Sequence, residues 1–264
     1  MSETARARAT RRAASPADIR RVTQPPGVLD RRSGEHWAGR LYMRRLSPYA
    51  VWLLLRTPLT PNQVTGLMIV VGVAGGVVLG LGGLWSAVVA AVLLQLYLLL
   101  DCADGELARF TDHKSIVGVY LDRVGAYLAE AAVFVGLGFR AQDGLAGGWV
   151  ELGALGALGL ILIKSETDQV DVARSRAGKP AATEDSAELR SARIGALRRV
   201  ASMLLVHRII QGIELSLLAL LAACYDTVAG GLMATRVLLA ACFVVAGVFV
   251  VLHLVSVLLS RRLR

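Results

Sequence analysis

Asp101, Asp104, Glu106 and Arg109 fall within nine positions, in the stretch LLLDCADGELARF at the end of a long apolar run. Read as a helix, Asp101 and Asp104 are three residues apart and share one face. Asp122 opens the next apolar segment, where a helix would let its carboxylate face them. Three carboxylates without His or Cys make a hard-oxygen set, suited to Mg2+ or Mn2+ and not to zinc. Such ions typically keep open positions for substrate phosphates. Gly105, Ala108 and Gly118 lack bulk, which would let helix backbones and a flat ligand approach closely. Arg109 would add a charge-assisted fork toward phosphate oxygens. Any one of these acids alone reads as an interhelical salt bridge. The whole constellation reads as a metal and phosphate site.

The elements that must position these residues are membrane helices. Of the 264 residues, 55% are hydrophobic and 19% charged, with a mean hydropathy of +0.56. Soluble domains carry about 25% charged residues. Aromatics are 6%, so the excess is Leu, Val, Ala and Gly, the palette of closely packed membrane helices. The net charge of +9 suits nucleic acid or an anionic membrane surface, and with this hydropathy the lipid bilayer is the simpler partner, with no nucleic acid. Cys102, Cys224 and Cys242 lack metal or disulfide spacing and read as small buried packing residues. The first thirty residues are polar and Arg-rich, without the apolar core of a secretory signal.

The expected fold is all-α: six transmembrane helices preceded by an N-terminal interfacial amphipathic helix. Residues 1–34 read as a flexible basic tail, 35–60 as the amphipathic segment, 61–260 as the six-helix catalytic domain and 261–264 as a basic C-terminus. In the amphipathic segment Trp37, Leu41, Tyr49 and Trp52 interleave with Arg40, Arg44, Arg45 and Arg56, with a break expected near Pro48. The spans are expected at about 62–82, 84–108, 115–139, 149–172, 200–224 and 232–259. Of the 29 Lys and Arg, only Arg140 and Arg236 fall on one set of loops and flanks, and Arg208 lies inside a segment. The rest put both termini, the 2–3 loop and the 4–5 loop in the cytoplasm, in a protein expected in the plasma membrane. The Asp cluster then lies at the cytoplasmic ends of the second and third spans. Charges there are functional candidates.

The run from Asp101 to Asp122, DCADGELARFTDHKSIVGVYLD, resembles the signature of the CDP-alcohol phosphotransferases. That signature is D-x-x-D-G-x-x-A-R, eight or nine residues, G, three residues, D, three residues, D. The TPLTPNQVT entry to the first span and the six-span layout extend the likeness over roughly 37–260, most specifically over 60–125. The resemblance implies an integral membrane enzyme that cleaves a CDP-linked donor, releases CMP and transfers a phospho-alcohol to an acceptor alcohol, often in phospholipid biosynthesis. It implies that Asp101, Asp104 and Asp122 ligate the metal, and that Gly105, Ala108, Arg109, Ser115 and Gly118 contact the donor, with Asn62 and Thr65 beside them. It also implies a homodimer. In its own right TPNQVT reads as a helix start, with Thr60 as cap and Pro61 in the first turn.

One position departs from the signature. The fourth Asp, the family's metal ligand and general base, is replaced by Ala126. Alanine can do neither job. Ala126 is then a substitution in an ordinary enzyme, a divergence in which Glu130 or His113 supplies the base, or the mark of an inactive CDP-binding relative. The donor is CDP-diacylglycerol or another CDP-alcohol such as CDP-inositol. The acceptor alcohol is open, a phosphorylated one included. Lys164, Arg174, Arg176, Lys179, Arg193, Arg198, Arg199 and Arg208 in and around the 4–5 loop are explained first by topology. Lys164, His207 and Arg208 are candidates for an acceptor phosphate, and an internal Arg208–Glu214 pair is an equal reading. Glu166, Asp168 and Asp171 read with Lys164 as a solvated helix end. A transporter would place carboxylates near mid-membrane and often show internal repeats. Here the key Asp residues cluster at the cytoplasmic end and no repeat shows.

Overall fold

The computed structural model describes residues 14–25, 42–142, 148–180, 212–259 and 263. Among them are eight helices and no strands: α1 (Pro16–Thr23), α2 (Arg44–Leu54), α3 (Pro61–Leu79), α4 (Gly83–Thr111), α5 (Ile116–Gln142), α6 (Gly148–Arg176), α7 (Gly212–Ala229) and α8 (Met233–Leu259). The helices α3, α4, α5, α6 and α8 are each long and apolar enough to cross a membrane. The expected span at 200–224 begins outside the described residues, which hold its later part as α7. The cations Arg193, Arg198, Arg199 and Arg208, together with His207, also lie outside them.

The chain divides into two compact units. The first comprises Met1–Gly75 and Ala91–Ala129. Within it, α1 lies in the stretch where the sequence suggested no element. Ser15 and Asp18 close a capping box, the Ser15 hydroxyl accepting from the Asp18 amide at 3.2 Å and the Asp18 carboxylate from the Ser15 amide at 3.1 Å. Pro16 occupies the first turn, where its missing N–H costs nothing. Eight residues cannot hold a helix in water alone. This one buries Ile19 and Thr23 fully.

The helix α2 runs through Pro48 where a break was expected. Proline removes the N–H that would pair with the carbonyl four residues back, here Arg44. That carbonyl accepts instead from Gln24 Nε2 at 2.8 Å, so the backbone is satisfied without a break. The inner face of α2 buries Ser47, Pro48 and Val51, while Leu46, Tyr49 and Leu53 are exposed. The start of α3 follows the expected pattern: Thr60 and Gln63 cap each other, the Thr60 amide donating to Gln63 Oε1 at 2.9 Å.

The second unit comprises Gly76–Ala90 and Glu130–Arg264. Here α3 and α5 meet backbone to backbone, and a Cβ on Gly76 or Gly136 would overlap the other helix. The helix α8 packs on α6 and α7. Its first turn is capped by Asp226 of α7, which accepts from the amides of Ala234 and Thr235 at 2.8 and 3.0 Å. Arg140 and Arg236, the two exceptions to the charge bias, both bind backbone. Arg140 Nη1 donates to the Gly83 carbonyl at 2.9 Å, and Arg236 Nε to that of Ala141 at 3.0 Å. The Ala141 carbonyl is one that the last turn of α5 leaves without an intrahelical partner. Of the three cysteines Cys102 and Cys242 are buried, but Cys224 is exposed, on a face of α7 with Leu221 and Tyr225. The buried-packing reading fails for Cys224 because that face of α7 turns outward.

Candidate functional site

In the first unit the end of α4, the starts of α2, α3 and α5, and the 112–115 connection enclose a cavity of about 400 Å³. Tertiary folding is needed to assemble it, because its lining comes from four helices. Asp101, Asp104, Gly105, Ala108 and Arg109 come from α4, Asn62 and Thr65 from α3, Gly118 and Asp122 from α5, and Ser115 from the connection. Ala126 does not line it. Arg44, Pro61, Cys102, His113, Lys114 and Val119 complete the wall.

The local geometry follows from the sequence. Asp112 leaves α4 with φ 55°, a left-handed residue at a helix C-terminus, and the His113 amide closes the turn on the Ala108 carbonyl at 3.0 Å. Ser115 then caps α5, its Oγ accepting from the Gly118 amide at 2.9 Å and donating to Asn62 Oδ1 at 3.0 Å. Thus Asn62 and Ser115 tie α3 to α5 across the cavity wall. Gly118 has no room for a side chain, since a Cβ there would lie 2.8 Å from Asn62 Oδ1. A Cβ on Gly105 would meet Arg109 Nη1 at 3.4 Å, so the guanidinium folds over the glycine.

Asp104 is the most enclosed of the three acids, at 6% exposure. It accepts from the Thr65 hydroxyl and the Gly105 amide. Asp101 and Asp122 stand close enough to repel its charge. Among the described residues no three His, Cys, Asp or Glu side chains are gathered tightly enough to enclose one ion. The donor chemistry nevertheless fits a hard divalent cation: three mutually repelling carboxylates around one cavity, with no soft ligand among them. Two helix N-termini, those of α3 and α5, open at the cavity, and each favours an anion.

Of the two residues read from sequence as candidates for a base, Glu130 does not line the cavity. It belongs to the second unit, 2.8 Å from Lys164 Nζ on α6. That pair also engages Lys164, read from sequence as a candidate for the acceptor phosphate. Glu166 on the same helix, read as solvated, keeps one carboxylate oxygen buried. His113 does line the cavity. Its Nδ1 sits 2.6 Å from the Thr111 carbonyl, which can only accept, so Nδ1 carries the proton and Nε2 is the acceptor in the neutral ring. The sequence reading missed Arg44 and Lys114 as wall residues. Both sit in basic stretches explained by topology, with no spacing to mark them. No protein-family model matches this chain, and no curated protein does.

Proposed function

We propose that this chain is an integral membrane CDP-alcohol phosphotransferase. It moves a phospho-alcohol group from a CDP-linked donor to an acceptor alcohol and releases CMP. One observation carries the reading: Asp101, Asp104, Gly105, Ala108, Arg109, Ser115, Gly118 and Asp122 of the signature stretch, with Asn62 and Thr65 from α3, line a single cavity that also holds Arg44. The sixth span, the cytoplasmic site, the plasma membrane and the homodimer belong to the same proposal. The exposed Leu46, Tyr49 and Leu53 beside Arg45 support an interfacial α2.

In this mechanism Asp101, Asp104 and Asp122 would hold Mg2+ or Mn2+, which would stabilise charge on the departing CMP phosphate. Thr65 keeps the Asp104 carboxylate oriented. Arg109, folded over Gly105, grips phosphate oxygens, and Gly118 and Ala108 leave room for the donor. The acceptor hydroxyl attacks the donor's β-phosphorus, the new P–O bond forms, and the bond to CMP breaks. His113 Nε2 takes the hydroxyl proton in place of the carboxylate absent at Ala126.

A positioned base contributes on the order of 10²–10⁴-fold. The test is CMP release by purified protein, as written and as Ala126→Asp, with Mg2+ or Mn2+, over pairs of CDP donors and alcohol acceptors. We expect slow metal-dependent release as written and faster release after Ala126→Asp, one helical turn beyond Asp122. Ala126 also favours a second reading, a CDP-binding relative without turnover. Nucleotide binding with no CMP release from either form would establish that one instead.

A further inference from the structure

We propose that Arg44 is a phosphate-binding residue of this cavity, held from behind by Glu106; the inference rests on the transferase reading. Arg44 opens α2, outside the signature, yet its side chain lines the cavity. It lies near enough to Arg109 for the two charges to act on each other. Glu106 acts on both guanidiniums and offsets part of their mutual repulsion. Glu106, on α4 between Asp104 and Arg109, faces away from the cavity and is fully buried. Arg44 Nη1 stands 3.1 Å from Glu106 Oε1, and the same oxygen accepts from Gln24 Nε2 and Ser47 Oγ, each at 2.8 Å.

This arrangement is a poor way to gain stability. Taking a carboxylate and a guanidinium out of water costs several kcal/mol, and well-packed apolar side chains serve as well or better. Among the described residues one oxygen of Glu106 is buried with no hydrogen-bond partner, which adds to the cost. What the arrangement secures is orientation. Gln24 and Ser47 fix one oxygen of Glu106, and that oxygen holds the guanidinium at the cavity wall. The same wall carries three carboxylates, and Arg44 adds its positive charge to those of Arg109 and Lys114 there. The chemistry recognised is a phosphate oxyanion, carried either by the nucleoside diphosphate donor or by a phosphorylated acceptor.

The test uses the full chain in detergent with Mg2+ present. Calorimetry measures CDP binding first, then inorganic phosphate binding to the CDP-saturated protein, for wild type, Arg44→Gln and Arg44→Lys. A charge-assisted hydrogen bond lost in Arg44→Gln predicts a fall in affinity of about tenfold or more. Arg44→Lys keeps a cation for Glu106 but not the planar fork, and should lose several-fold while melting like wild type. Loss in the CDP titration assigns Arg44 to the donor, and loss in the phosphate titration assigns it to the acceptor. Unchanged affinities in both titrations for Arg44→Lys and any folded Arg44→Gln overturn the proposal. If wild type binds neither ligand, the transferase reading itself has failed.

Discussion

Replacing Gln24 with Met should release the N-terminal helix from the molecule, although Gln24 lies in a polar stretch far from any signature residue. Its amide makes two buried bonds, to the Arg44 carbonyl left unpaired by Pro48 and to the Glu106 carboxylate. Met fills similar volume but donates to neither. A hydrogen bond to a charged group is worth about 1.5–3 kcal/mol, and a buried acceptor left empty costs about 1–3 kcal/mol. Allowing for relaxation, undocking of α1 should become easier by about 2–4 kcal/mol. At about 1.4 kcal/mol per tenfold, the lower figure corresponds to roughly 30-fold faster amide exchange over Pro16–Thr23, read by mass spectrometry in detergent. The mechanism supplies its own control. Pro48→Ala restores a backbone N–H to the Arg44 carbonyl, so adding it to Gln24→Met should recover about 1 kcal/mol, leaving only Glu106 short of a donor. Exchange in Gln24→Met that matches wild type would refute the reasoning. So would equal exchange in the single and double variants.

Three further predictions follow from single contacts. Lys164→Met leaves Glu130 buried without its cation and should destabilise the protein by about 3–5 kcal/mol, whereas Lys164→Met with Glu130→Met should recover most of the loss in thermal melts. Gly118→Ala drives a Cβ against Asn62 Oδ1 and the Ser115 hydroxyl, so it should break their 3.0 Å bond, lower stability by about 1 kcal/mol and weaken CDP binding, measured by melting and calorimetry. The hydroxyl and amide of Ser15 hold the Asp18 carboxyl below the usual carboxylate range, with Arg21 adding a smaller push. Its contribution to α1 is therefore present above the usual carboxylate value and lost as pH falls through the lowered one. Ser15→Ala should raise the Asp18 midpoint in a carbon-13 titration, and an unmoved midpoint would count against the capping box.

The grouping of Asp101, Asp104, Gly105 and Arg109 at one cavity was legible because helix faces depend on type and short spacing. An i, i+3 pair of Asp shares a helix face wherever the helix goes, and Thr60, Pro61 and Gln63 announce a helix start through local hydrogen bonds. Apolar length likewise marks α3, α4, α5, α6 and α8. The residues that could not be read act at long range. Gln24 and Glu106 are 82 positions apart and Arg44 and Glu106 are 62 apart, each joined by one hydrogen bond that leaves no periodicity behind. Pro48 misled for a related reason: its local rule ends a helix unless a distant donor takes the freed carbonyl.

Glu130 and His113 mark the same boundary around Ala126. Both looked available when only distance along the chain from Ala126 could be weighed. The sequence by itself determined an all-helical chain with membrane-length helices, the acidic and glycine-bearing motif, and the absence of a carboxylate at Ala126, because composition and local spacing are properties of the chain. Only the tertiary structure decided that Glu130 belongs to Lys164, that His113 faces the cavity, and that Arg44 lines the same cavity as Arg109. Those outcomes depend on which helix faces meet, and a buried charge takes the partner that packing brings to it.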